Sequence, residues 1–413
     1  MKFSELGLAP ELVRAIQDQR YETPTPIQAQ GIPLALEGRD LVGCAQTGTG
    51  KTAVFVLPIL HRLRMGPANR LRALILVPTR ELAAQVAESV RTYGRHLRLK
   101  SAVIFGGVGL DPQRQKLWQG IDLLVATPGR LLDHMERGNV NFRNLEVFVL
   151  DEADRMLDMG FIRDVRKIIR ALPSERQTML FSATMPEAIQ QLAKEVLKSP
   201  VLVEVSRRSA PAEGVRQVVC SVVVPHKRHL LQHLIAKEKM SQTLVFTRTK
   251  RGANKLAEFL DRSGHSVTAI HGNKSQAART QALDSFQRGR VRILVATDVA
   301  SRGLDVDGIS HVVNFDVPHS PEDYVHRIGR TARAGRAGDA LTLMSPEEKP
   351  LIRAIEKLIG QRIPIREVTG YTVPSNSTQG SQRQGHFSDR PWKQGSPTSR
   401  SSTRWNHQRR RSG

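Results

Sequence analysis

Short, almost wholly apolar runs recur through residues 1–205, at 40–44, 73–77, 101–105, 123–126, 147–150 and 178–181. Each spans only four or five residues and gives way to turn residues or an amphipathic stretch of helical period. Short buried strands alternating with helices are the pattern of a parallel sheet covered by helices. Ser-Arg-Arg-Ser-Ala-Pro-Ala-Glu-Gly, starting at 206, interrupts the periodicity and reads as a linker. A second series follows, with strands expected at 217–224, 243–246, 267–270, 293–296, 311–315 and 340–344, and helices at 251–262 and 276–287. The recurrence is one of architecture, since little direct sequence repeat is visible. The expected division is therefore an α/β domain over 1–207, a linker over 208–216, a second α/β domain over 217–369 and a tail over 370–413.

Composition changes the picture at the tail. From Tyr371 the chain turns to Ser, Gln, Gly, Pro and Arg, with eight basic residues against the single acid Asp389. Too few aliphatic side chains are available there to offset the entropy of ordering, so the tail is expected to be disordered when alone. Phe387, Trp392 and Trp405 lie among its arginines, a mixture suited to stacking on bases and pairing with phosphates. The whole chain of 413 residues carries a formal charge of +23, which favours a polyanionic partner, nucleic acid ahead of a membrane surface. Two cysteines, Cys44 and Cys220, indicate neither a disulfide framework nor a cysteine-rich metal site. Residues 1–10 lack a signal-peptide pattern and no apolar run approaches membrane-spanning length, so a cytoplasmic protein without membrane contact is expected.

Candidate chemistry sits at strand ends. Ala45-Gln46-Thr47-Gly48-Thr49-Gly50-Lys51-Thr52 follows the first strand and precedes an apolar helical run, where a phosphate loop must lie. Small residues let backbone N–H groups approach phosphate oxygens, Lys51 neutralises the outer phosphates and Thr52 is placed to bind magnesium. Asp151-Glu152-Ala153-Asp154 follows the strand at 147–150. Asp151 suits the magnesium shell, and Glu152 can orient the attacking water. Near the end of the patterned region, His326-Arg327-Ile328-Gly329-Arg330-Thr331-Ala332-Arg333 supplies cations that reach the same phosphates only if the second domain folds over the first.

Taken with Thr25-Pro26-Ile27-Gln28, Pro78-Thr79-Arg80-Glu81-Leu82-Ala83, Thr127-Pro128-Gly129-Arg130, Ser182-Ala183-Thr184 and the long run from Ala296 through Thr297 and Asp298 to Asp305, the chain resembles the DEAD-box ATP-dependent RNA helicases, bacterial in style, over nearly all of residues 1–370. The resemblance implies two tandem RecA-like parallel-sheet domains with helices on both faces. It also implies ATP and Mg²⁺ as cofactors. Gln28 then recognises adenine, with Tyr21 and Phe3 in the adenine-side packing, and Arg20 stands where the family commonly has glycine. Arg330 and Arg333 become fingers toward the terminal phosphate, and Asp305 approaches the ribose. The RNA backbone is assigned to Pro78, Thr79, Arg80, Gly106, Gly107, Thr127 and Arg130 of the first domain. In the second it is assigned to Thr247, Arg248, Thr249, His271, Gly272 and Thr297. Coupling between nucleotide and RNA falls to Asp154, Ser182, Ala183, Thr184, Asp298, His326 and Arg327.

RNA-stimulated ATP hydrolysis that closes and opens the two domains, bending and locally unwinding short duplexes, is the implied activity. An ATP-gated RNA clamp or RNP-remodelling ATPase would use the same motifs, whereas a DNA helicase fits the Gln28 and Asp151 constellations less well. RNA is the expected partner, through backbone contacts, and ribosomal particles or RNA-decay proteins are the further partner classes the family implies.

Overall fold

The computed structural model describes residues 1–45, 49–204, 214–298, 308–332 and 337–368. Residues 1–371 form one compact unit. Its first half is built on a seven-stranded sheet of order β3-β4-β2-β5-β6-β1-β7, every paired neighbour parallel. The strands are β1 (Leu41–Cys44), β2 (Ala73–Leu76), β3 (Ser101–Ile104), β4 (Leu123–Ala126), β5 (Val147–Leu150), β6 (Gln177–Ser182) and β7 (Val201–Glu204). Strands β1, β2, β4 and β5 are buried at every position, which explains why they read as continuous apolar runs. Alternate side chains feed two cores, Ala73 and Ile75 into one and Leu74 and Leu76 into the other. Phe55 and Phe181 close the first of these, with ring centroids 5.2 Å apart.

The second half repeats this arrangement. Its six-stranded sheet has the order β10-β11-β9-β12-β13-β8, from β8 (Val215–Ser221), β9 (Thr243–Phe246), β10 (Val267–Ile270), β11 (Ile293–Ala296), β12 (His311–Asn314) and β13 (Gly338–Met344). Matching the two orders term by term pairs β8 with β1, β9 with β2, β10 with β3, β11 with β4, β12 with β5 and β13 with β6. β7 has no counterpart among the named strands of the described residues; on the matching edge, beside β8, Ile365 forms a single parallel bridge with Val219.

The expected strands are present with ends shifted by a residue or two, and three differences have physical causes. β7 is absent from the sequence reading because it is an edge strand of mixed exposure, with Leu202 52% exposed, and so lacks a continuous apolar signal. β8 begins at Val215, inside the expected linker, because Val215 and Arg216 pair with Gly338 and Asp339 of β13. It ends at Ser221 rather than 224, where Val224–His226 turns into a short 3₁₀ helix. Most of the linker and the whole tail lie outside the described residues. Among the described residues no helix is long and apolar enough to cross a membrane.

Candidate nucleotide site and nucleic-acid interface

The carboxyl ends of the strands in each sheet carry the functional segments, as expected for parallel α/β sheets. After β1, Lys51 and Thr52 open helix α3 (Lys51–Leu63). Gly50 before them has φ +89°, and a Cβ there would lie 2.3 Å from Gln28 Nε2. Gln28 is locked to this turn. Its Nε2 donates to the Gly50 carbonyl at 3.1 Å, its Oε1 accepts from Thr25 N at 2.9 Å, and Thr25 Oγ1 donates to the Thr49 carbonyl at 2.8 Å. One amide N–H and one lone pair of Gln28 remain for a ligand. Phe3 is buried in the first-domain core and Tyr21 is exposed. Lys51 Nζ, itself buried, donates to the Ala45 carbonyl at 2.7 Å. Gln46, Thr47 and Gly48 lie outside the described residues.

At the end of β5, Asp151, Glu152 and Asp154 are all nearly buried. Glu152 holds a left-handed φ of 52°, rare for a residue with a side chain, and its N–H donates to Asp151 Oδ1 at 2.9 Å. Its Oε2 faces Arg155 Nε at 3.3 Å. Burial pushes the Asp151 carboxyl up to about 7, with the charges of Glu152 and Asp154 adding to it and Lys51 opposing. A buried carboxylate so short of compensating charge fits a hard cation that takes oxygen ligands and keeps much of its water.

Asp154 joins the two halves of the molecule. Its Oδ2 accepts from Ala183 N at 3.1 Å, Thr184 N at 2.8 Å and Thr184 Oγ1 at 3.0 Å, while Ser182 Oγ accepts from Asp154 N at 3.2 Å. Burial opposes its ionisation, but His326, Lys51, Arg155 and the Thr184 N–H outweigh that and hold the carboxyl below its ordinary range. His326 belongs to the second half, on α13 (Pro321–Ile328). Burial drives its pKa down to about 3, helped by the charges of Arg155 and Arg330 and opposed by Asp154. Arg330 is buried, four residues beyond His326. Arg327 is heavily engaged: Nε and Nη2 grip Asp298 at 2.6 and 2.7 Å, Nη1 bonds Asn314 Oδ1 at 3.0 Å and the Asp316 carbonyl at 2.8 Å, and the guanidinium lies 5.0 Å from the Phe246 ring centroid. Arg333 and Asp305 lie outside the described residues.

The other expected contacts line strand ends that correspond between the sheets. Thr79 after β2 and Thr249 after β9 are the N-caps of α4 (Arg80–Tyr93) and α11 (Lys250–Arg262), accepting from Leu82 N at 3.3 Å and Gly252 N at 2.9 Å. Thr127 follows β4 and Thr297 follows β11, both buried. Gly106-Gly107 follows β3, and His271-Gly272 follows β10. Pro78 is buried against β2. A Cβ on Gly107, whose φ is +83°, would fall 1.9 Å from Arg80 Nη1, so glycine there makes room for the arginine. His271 Nε2 meets Asn254 Oδ1 at 2.9 Å. Arg130 and Arg248 also brace the fold, Arg130 through the Val108 carbonyl at 2.9 Å and Arg248 through Glu348 at 3.1 Å.

Three residues that the sequence reading gave no role connect the halves on this side. Arg279 Nη2 lies 2.9 Å from Glu81 Oε1, Gln276 Nε2 donates to the same oxygen at 3.1 Å, and Arg80 Nη1 donates to Gln276 Oε1 at 3.3 Å. Gln276 and Arg279 sit on the first turn of α12 (Gln276–Gln287). Burial lowers the Arg80 pKa, and the nearby cations Arg279 and Arg130 add to that. This is a crowded positive cluster where the two halves meet. Glu81 stands in the quoted Pro78–Ala83 string, but nothing in one sequence links it to helix α12.

A helicase of the two-domain type is the class this arrangement defines. Residues 25–192 match the family model described as DEAD/DEAH box helicase, and residues 226–335 match the helicase conserved C-terminal domain. The chain is 43% identical over 364 residues to the ATP-dependent RNA helicase CshA of Listeria monocytogenes, covering 88% of this chain and 69% of that protein. It is 44% identical over 355 residues to the DEAD-box ATP-dependent RNA helicase CshA of Bacillus subtilis, covering 86% and 72%. Among solved structures, S. cerevisiae Dbp5 bound to RNA and ADP BeF3 matches with a TM-score of 0.80 at 33% identity, covering 89% of this chain and 95% of that one. A DEAD box protein from Methanococcus jannaschii, 39% identical with coverage of 89% and 99%, gives 0.53. The chain belongs to the DEAD-box family of ATP-dependent RNA helicases.

Proposed function

We propose that this helicase works by cooperative closure: ATP bridges the two domains, divided near 207 and 217, while one RNA strand lies bent across both. The observation that carries this reading is the double bridge. Glu81 bonds Gln276 and Arg279 of the second half, and Asp154 lines one cavity together with His326 and feels its charge. The better match to Dbp5 bound to RNA and nucleotide than to the more similar archaeal sequence also supports a closed arrangement. Bending one strand opposes continued pairing, so a short duplex opens locally.

In hydrolysis, the water oxygen bonds to the terminal phosphorus as the bond to the ADP oxygen breaks. Glu152 orients that water, Lys51 and Arg330 meet the charge on the phosphate from the two domains, and Arg333 is assigned the same task. Thr52 and Asp151 would hold magnesium, which would supply charge neutralisation at the phosphates. Gln28 reads the adenine edge, Tyr21 and Phe3 pack beside it, and Asp305 meets the ribose. Thr79, Thr127, Thr249 and Thr297 contact phosphates and sugars without reading sequence. Phosphate release then weakens closure and frees the RNA.

Glu152→Gln should retain ATP and RNA binding and lose turnover by a factor of about 100 or more, the usual scale for a positioned proton-handling group. RNA-stimulated ATPase within a few-fold of the unsubstituted protein would reject the assignment. Strand release measured beside ATP-dependent retention on unpaired RNA separates unwinding from a clamp.

A further inference from the structure

We propose that the outer face of helix α5 (Leu110–Trp118) is a stacking platform for unpaired bases of RNA leaving the cleft over the first domain, an inference that rests on the RNA reading above. Trp118 is the one tryptophan among the described residues, and 67% of it is exposed. Burying so large a ring would be worth a great deal to the fold, yet α5 turns Gln113 inward and leaves the indole in water. The ring is held ready. Arg114, one turn earlier, places its guanidinium 4.9 Å from the ring centroid, and Asp111 fixes that guanidinium with a 3.0 Å ion pair.

The position of the helix ties the ring to the cleft. Gly109, two residues after Gly107, is the N-cap of α5, and Gln113 Nε2 fastens the helix to that loop through the Phe105 carbonyl at 3.1 Å. Arg130 Nη1 holds the same loop through the Val108 carbonyl at 2.9 Å. Trp118 lies eight residues beyond Leu110, about 12 Å along the axis, on the flank of the sheet where β3 is the edge strand. Lys116 on the same helix is exposed, as are Arg98 and Lys100 leading into β3, the strand that α5 packs beside. An exposed π-face carrying a guanidinium, on a basic flank that starts at a candidate phosphate-contact loop, has the chemistry of a sequence-tolerant base-stacking site. Charge complementarity selects a nucleic acid strand over an apolar protein segment as the occupant.

The test compares single-stranded RNA of about 6 nucleotides with RNA of about 20, because only the longer strand can fill the cleft and pass along α5. Trp118→Ala should bind the longer RNA on the order of tenfold more weakly, while Trp118→Phe keeps most of the affinity and the short RNA binds both like the unsubstituted chain. A second measurement uses Trp392→Phe with Trp405→Phe, which leaves Trp118 as the sole tryptophan of the three. Its emission should fall with the longer RNA and stay constant with the shorter. Unchanged emission, unchanged affinity of Trp118→Ala, or an equal loss for both lengths would overturn the platform. If the unsubstituted chain binds neither length, the RNA reading itself has failed and the platform falls with it.

Discussion

Arg20 takes a φ of 58°, a left-handed conformation that suits glycine, at the position where the family commonly carries glycine. Holding a side chain there costs on the order of 1–3 kcal/mol. Replacing it with glycine relieves that strain but returns roughly 0.4–1 kcal/mol of freedom to the unfolded chain. Arg20→Gly is therefore expected to leave stability unchanged or raise it by about 1 kcal/mol, and Arg20→Val to lower it, as read by chemical denaturation. His326 gives a prediction of another kind. Its pKa, pushed down to about 3 by burial, lies below its ordinary 6.5, so the closed fold binds fewer protons than the opened or unfolded chain between those values. Stability then falls as pH drops through 6.5 toward 3. Over the first pH unit below 6.5 the loss is up to about 1 kcal/mol. His326→Gln should flatten this part of the pH dependence, while other buried histidines such as His271 keep their own share. An unaltered slope in the variant would remove His326 from the account.

At the scale of elements, the two sheets share one strand order, and that order explains where the candidate contacts fall. Thr79 and Thr249, Gly107 and Gly272, Thr127 and Thr297 occupy corresponding strand ends. The buried central strands were legible because their apolar runs are continuous, and the motifs were legible because each follows such a run. β7 was not, being half exposed, and β8 was clipped because Val215 and Arg216 owe their extended form to pairing with β13, far along the chain. The same limit applies within the site. Arg248 and Arg130 read as RNA contacts by motif, but their bonds to Glu348 and to the Val108 carbonyl depend on tertiary neighbours that spacing does not reveal. Asn314, which meets Arg327 at 3.0 Å, carries no local signal at all.

For the whole molecule, the contacts between the halves bear most on the proposed closure, because they would set its equilibrium between closed and open. Glu81 and Arg279 are nearly removed from water, with side chains 6% and 11% exposed. Stranding one charge in a fixed interior would cost about 3–5 kcal/mol. If the domains separate as proposed, water reaches the remaining charge, so the penalty falls on closure and the separate domain cores are spared. Arg279→Ala is thus expected to leave thermal unfolding of the domains almost unchanged. Its closed population with ATP analogue and RNA should fall by roughly 5- to 30-fold, the effect of about 1–2 kcal/mol. Energy transfer between dyes on the two domains reads this directly. Exchanging the charges, Glu81→Arg with Arg279→Glu, should recover part of the closure, incompletely because Gln276 loses its Glu81 acceptor and Arg80 gains a cationic neighbour. If Arg279→Ala closes as readily as the unsubstituted chain, the nucleotide side alone holds the domains together, and the RNA-side bridge has no part in the switch.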